Sequence, residues 1–105
     1  MYNERISFEF DVDKEIRNIR KHGITFDQAK EVFLDPEMIL APDARHSARE
    51  ERWFAVGRIS DGRIVTVWYT PRGNYTRIIG AGLLKKWRKE YEKRAFARSI
   101  KIEVG

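Results

Sequence analysis

The chain contains no cysteine, only two histidines and only three prolines in 105 residues. Without cysteine there are no disulfides and no thiolate metal ligands, which suits a reducing compartment. Two histidines and no compact carboxylate cluster argue against a catalytic zinc or a two-metal centre, so no metal and no cofactor are expected. No apolar run approaches the ~18 residues that read as a membrane span. Met1 to Asp11 is mixed and charged, unlike the apolar core of a signal peptide. Cytoplasmic residence without membrane association is the resulting expectation. The chain also has no Walker lysine loop, no G-x-G-x-x-G and no G-x-S-x-G elbow.

What is present is ordinary for a folded domain: 42% of residues are apolar and 35% charged. The length allows one modest core, hence a single domain spanning residues 1–105. The net charge of +5 is unevenly placed. Residues 1–84 hold 13 Lys/Arg against 13 Asp/Glu, whereas residues 85–105 hold eight against three. A basic block of this kind attracts RNA, DNA or an acidic partner; a solvated helix face is the plainer reading.

Periodicity outlines an α+β order. Ile6, Phe8 and Phe10 alternate as in a strand with one buried face. Asp11 or Asp13 caps a helix whose Val12, Ile16 and Ile19 form the expected buried stripe, and Gly23 stops it. Thr25 to Gln28 is a capping-box pattern with Ile24 and Ala29 as a hydrophobic staple. It opens a short helix ended by Asp35-Pro36. Met38 to Ala41 is a strand and Pro42 to Glu50 a loop. Arg52 to Ile59 and Arg63 to Thr70 form a hairpin around Ser60-Asp61-Gly62. After a turn at Pro71 to Asn74, Tyr75 to Ala81 is the last strand. Leu84, Trp87, Tyr91 and Ala95 then mark a third helix carrying the basic block. Ile100, Ile102 and Val104 alternate in the final residues, either as an added strand or as a frayed end. The expected fold is two N-terminal helices and a C-terminal helix packed on one face of a mostly antiparallel sheet.

Three groups of residues carry possible chemistry. The first is Lys21-His22-Gly23 at the end of the first helix, where a cation and a histidine also simply complement the helix dipole. The second is the loop Asp43-x-x-His46-Ser47-x-x-Glu50-Glu51-Arg52, which lines a site or is solvated. The third is Arg77, a cation among apolar neighbours. It opens onto a groove, where with Arg52 and Arg58 it would floor a phosphate site, or it pairs with Glu50 or Glu51. Cations, histidine and carboxylate without metal ligands suit RNA cleavage by the adjacent 2′-hydroxyl. That reaction needs a base, cations on the phosphorane and an acid for the leaving 5′-oxygen.

Taken together, these segments resemble the BrnT family of type II toxins. The resemblance runs from about Phe8 to Tyr91 and rests on four motifs in register. These are the opening strand with Asp11, Lys21-His22-Gly23 and Phe26; Ala29 with Val32-Phe33-x-Asp35-Pro36; His46-Ser47-x-x-Glu50-Glu51-Arg52; and Arg77-Ile78-Ile79. It implies a RelE-like fold with a cationic groove on the sheet and a metal-independent endoribonuclease that stops growth. It also implies a BrnA-type antitoxin as partner, a toxin–antitoxin heterotetramer, and contact with operator DNA only through that complex. Arg77, Arg52, His22, Lys21 and Glu51 match family positions and are the catalytic candidates. Arg58, Lys85, Lys86, Arg88 and Lys89 are the RNA-binding candidates.

The pattern changes after Ile79. The family continues with Ser-Ala-Arg and later a Glu-Arg pair, whereas this chain has Gly80-Ala81-Gly82. A catalytically weakened protein that only binds RNA or antitoxin is therefore the competing expectation. Residues 95–105 extend past the usual family end.

Overall fold

Local signals set the helix boundaries. The Asp11 carboxylate accepts from the backbone N–H groups of Asp13 at 2.8 Å and Lys14 at 3.3 Å, so helix α1 runs Val12–His22. Gly23 adopts φ +70°, and its N–H returns to the Ile19 carbonyl to close the helix. Thr25 and Gln28 make both hydrogen bonds of the capping box. Helix α2 covers only Phe26–Lys30 and tightens into a 3-10 turn, Glu31–Leu34. The long helix α3 spans Lys85–Val104. The computed structural model describes the backbone of residues 6–104 and side chains through residue 100.

Five strands form one sheet: β1 Ser7–Glu9, β2 Ile39–Pro42, β3 Trp53–Arg58, β4 Ile64–Arg72 and β5 Tyr75–Gly82. Their spatial order is β1-β5-β4-β3-β2. β1 runs parallel to β5, and the other pairings are antiparallel. The sheet is therefore mixed, with α1 lying against β5 beyond the short β1. The ladder slips once. Trp68 faces Gly80 but Tyr69 faces Ile78, so Ile79 is an extra residue on β5.

The helices do not share a face, contrary to the expectation from sequence. One core gathers Ile24, Phe26, Ala29, Val32 and Phe33 over Ala55, Val65, Val67, Ile78 and Ala81. A second core joins Ile39, Val56 and Ile64 to Tyr91 and Trp87 of α3. Ala55 and Val56, or Val65 and Ile64, are strand neighbours and so point to opposite faces. α2 covers one side and α3 part of the other.

Two further expectations are corrected. Val12, Ile16 and Ile19 do not face the core; they are 63%, 45% and 41% exposed. The buried residue of α1 is Asn18. Its Nδ2 donates to the Ile24 carbonyl at 2.9 Å, and its Oδ1 accepts from the Ala81 N–H at 3.0 Å. β1 is too short to satisfy that part of β5, so the side chain supplies the missing partner. Ile100, Ile102 and Val104 do not form a strand, because the backbone stays helical to Val104.

Candidate functional site

α3 covers the second face only at the β2–β3–β4 end. The rest of that face opens into two neighbouring cavities that share Trp68. One, about 270 Å³, is lined by Asp43, His46, Arg52, Phe54, Trp68 and Leu84. The other, about 340 Å³, is lined by Lys14, Arg17, Asn18, Lys21, His22, Trp68 and Ile79.

The first cavity contains a histidine–aspartate pair. Asp43 is buried at the start of the loop after β2, and a 3-10 turn, Ala44–His46, brings His46 back over it. His46 Nδ1 lies 3.0 Å from Asp43 Oδ2 and 3.2 Å from Oδ1. The loop is fixed on both sides. The Asp43 N–H donates to the Arg52 carbonyl at 2.9 Å. Ser47 Oγ donates to the Asp43 carbonyl at 2.7 Å and accepts from the Arg52 N–H at 3.1 Å. The carboxylate orients the imidazole and favours a proton on Nδ1, which leaves Nε2 for proton transfer. His46 is mostly exposed, with Arg52 in the same cavity.

The second cavity places His22 at the end of α1, where its ring meets the Trp68 indole edge-to-face at 5.8 Å and 84°. Gly82 makes the room, since a Cβ there would lie 3.1 Å from His22 Nδ1. Gly80 does the same for Trp68, since a Cβ there would fall 2.4 Å from the indole. Gly80 and Gly82, where the resemblance implies serine and arginine, are thus the seats of two aromatic rings.

Of the catalytic candidates, Lys21 and His22 meet in one cavity and Arg52 lies in the other. Glu51 stands apart from Trp68, lining a neighbouring pocket with Ser47 and Trp53. Its backbone carbonyl accepts from Thr70 Oγ1. Burial pushes the Tyr69 hydroxyl pKa up, and the Glu51 charge adds to this. Arg77 lines neither Trp68 cavity. It pairs with Glu9 at 3.3 Å, not with Glu50 or Glu51. Arg72 extends this network, 3.9 Å from Glu9 and 3.5 Å from Glu50. Nor does Arg58 share a floor with Arg52: Arg52 precedes β3 and Arg58 ends it, roughly 20 Å apart by strand rise.

Three of the five RNA-binding candidates gather around a separate cavity. Arg58, Lys85 and Arg88 join Arg63 around a cavity of about 390 Å³ between the β3–β4 turn and the start of α3. Lys86 Nζ sits 5.4 Å from the Trp87 ring centroid, and Lys89 is exposed on α3. Among the described residues, no three His, Asp or Glu side chains converge as metal ligands. No described helix is long and apolar enough to cross a membrane.

The sequence marks Asp43 and His46 as part of a loop that could line a site, but not as catalytic candidates, and it does not single out Trp68, Lys14 or Arg17 as site residues. The Asp-x-x-His spacing was a usable signal, because a single 3-10 turn superposes residues three apart. Trp68 was read only as part of a central strand.

The arrangement offers two imidazoles, one oriented by a buried carboxylate, on either side of an indole and flanked by cations. That set can move protons at a phosphate held between them. No curated protein matches the chain in sequence. The chain is similar in fold to the crystal structure of the Brucella abortus ribonuclease toxin, BrnT, with a TM-score of 0.60 and 20% identity. That likeness covers 76% of this chain and 97% of the other. The family model described as the ribonuclease toxin BrnT of type II toxin–antitoxin systems matches residues 10–90, and the chain belongs to that family.

Proposed function

We propose that the protein is a metal-independent endoribonuclease, RelE-like in fold, that stops growth by cutting RNA in the cytoplasm. A BrnA-type antitoxin neutralises it, as a heterotetramer that reaches operator DNA only through the antitoxin. The observation that carries the reading is the groove around Trp68, with Asp43–His46 and Arg52 on one side and Lys21–His22 on the other. His46 Nε2 accepts the 2′-hydroxyl proton as that oxygen attacks the adjacent phosphorus. Arg52, with Lys21 assisting, stabilises the phosphorane charge. His22 protonates the leaving 5′-oxygen. Asp43 is a positioning residue that holds the His46 ring. Glu51 and Arg77 serve the frame of the groove, Arg77 through its pairing with Glu9.

The competing reading, a weakened protein that binds RNA or antitoxin without cutting, draws on Gly80 and Gly82. Expression of wild type, His46→Ala and Arg52→Ala in a host lacking antitoxin separates the two. The catalytic reading expects growth arrest and EDTA-resistant RNA cleavage by wild type alone. Equal growth of all three strains, with no cleavage by the purified wild type, would sink it.

A further inference from the structure

Trp68 belongs to neither core cluster. It is partly exposed and forms the shared wall of the two site cavities. The backbone is arranged to seat it there. The ladder sets Gly80 directly opposite, and the indole Cε2, Nε1 and Cζ2 occupy the space that a Cβ at position 80 would take, at 2.4–2.5 Å. The slip in the ladder immediately follows Trp68, and the extra residue, Ile79, lines the same cavity. His22 packs edge-to-face on the indole from one side. The indole is supported from beneath by Gly80 and left partly exposed between the two cavities.

Its neighbours supply the complement. Lys14, Arg17 and Lys21 lie in one cavity and Arg52 in the other. Among the described residues none of these four cations has an ion-pair partner. A flat aromatic ring flanked by free cations matches the juxtaposition of bases and phosphates along a single strand. Stacking on such a ring tolerates any base, because every base has a π-face. Paired and stacked bases in a duplex cannot use it.

We infer that Trp68 is a stacking platform for one nucleobase of single-stranded RNA, set among the cations that hold the scissile phosphate and its neighbours. This rests on the RNA-cleavage reading above. It also gives the two glycines a function: they admit the platform and the histidine beside it.

The test uses two uncleavable probes of equal charge, a 2′-O-methyl hexauridylate and the same backbone without bases. Binding to the purified full chain is measured by fluorescence anisotropy at low salt. Wild type is expected to prefer the base-bearing probe by about tenfold or more. Trp68→Ala should erase that preference while leaving the affinity for the abasic probe unchanged. Trp68→Phe should keep part of it. Gly80→Ala retains the indole but pushes it from its seat, and should also reduce the preference, so the test survives if Trp68→Ala fails to fold. Equal wild-type affinity for the two probes overturns the platform alone. So does a preference that all three variants retain. Absence of binding to either probe overturns the RNA reading together with the platform.

Discussion

The Tyr91 hydroxyl donates to Asp35 Oδ2 at 2.5 Å, tying α3 to the chain that leaves the first-face helices. The same oxygen accepts the Arg58 N–H at 2.7 Å, and Asp35 Oδ1 accepts the Glu37 N–H at 2.8 Å. Burial would raise the Asp35 pKa, but these three donors outweigh it and hold the carboxyl below its ordinary value. Burial first, and the Asp35 carboxylate second, push the Tyr91 hydroxyl up to about 12.

This contact predicts two pH limits. The Asp35 contribution is present above its unfolded pKa, about 4, and is lost as pH falls through its lowered folded value. The Tyr91 contribution is full below its unfolded pKa of 10.0 and is lost as pH rises through about 12. Tyr91→Phe should lower stability at neutral pH by about 1.5 kcal/mol and flatten the alkaline decline. Thermal melts across pH check both. An unchanged midpoint with an unchanged alkaline limb would contradict the assignment.

Asn18 is the second structural joint. Asn18→Ala leaves the Ile24 carbonyl and the Ala81 N–H without their partner, at a cost of about 2–4 kcal/mol. Urea unfolding measures this directly. Because α1 also carries Lys21 and His22, cleavage should fall even at temperatures where the variant remains folded.

Asp43 acts through His46, so its removal should not look like loss of binding. Asp43→Asn should lower kcat by about 10²-fold or more with little change in KM. A fall confined to KM would leave the carboxylate a purely structural part of the loop.

Gly82→Arg restores the family pattern on paper. Here the new side chain starts 3.1 Å from the His22 ring, so the imidazole must move. The expected outcome is reduced cleavage, measured against wild type with the same RNA. Increased cleavage would show that His22 is not needed where it stands.

The cluster of Arg58, Arg63, Lys85 and Arg88 lines a cavity separate from the groove and should add affinity without chemistry. Lys85→Glu with Arg88→Glu should flatten the salt dependence of RNA binding by about 1.4 in log–log slope. The rate at saturating RNA should stay unchanged. If these charges serve the antitoxin instead, the slope will not move and antitoxin binding will weaken.

Much of the architecture was legible because local chemistry decided it. Asp11, Gly23 and the Thr25–Gln28 box act within a few residues, and β3 to β5 were marked by their turns. The failures arise where distant residues decide. Val12, Ile16 and Ile19 form a sound amphipathic stripe, yet the face turned inward is chosen by Asn18 and its partner on β5, 63 residues away. Arg77 was recognised as a cation needing explanation, but its partner, Glu9, comes from the parallel pairing of β1 with β5, which no short pattern announces. Gly80 and Gly82 looked like losses because a sequence displays the missing side chains and not the rings that fill their places.

Trp68 and Gly80 also bind each other's evolutionary fate. While the indole is present, the smallest possible addition at position 80, a single methyl group, collides with it. If the tryptophan is lost first, position 80 becomes free to regain a side chain. The two positions therefore constrain each other: a larger residue at 80 displaces the indole from its seat, and only loss of the indole frees that space. Among close relatives, a residue larger than glycine at position 80 should accompany a shifted or absent aromatic at position 68.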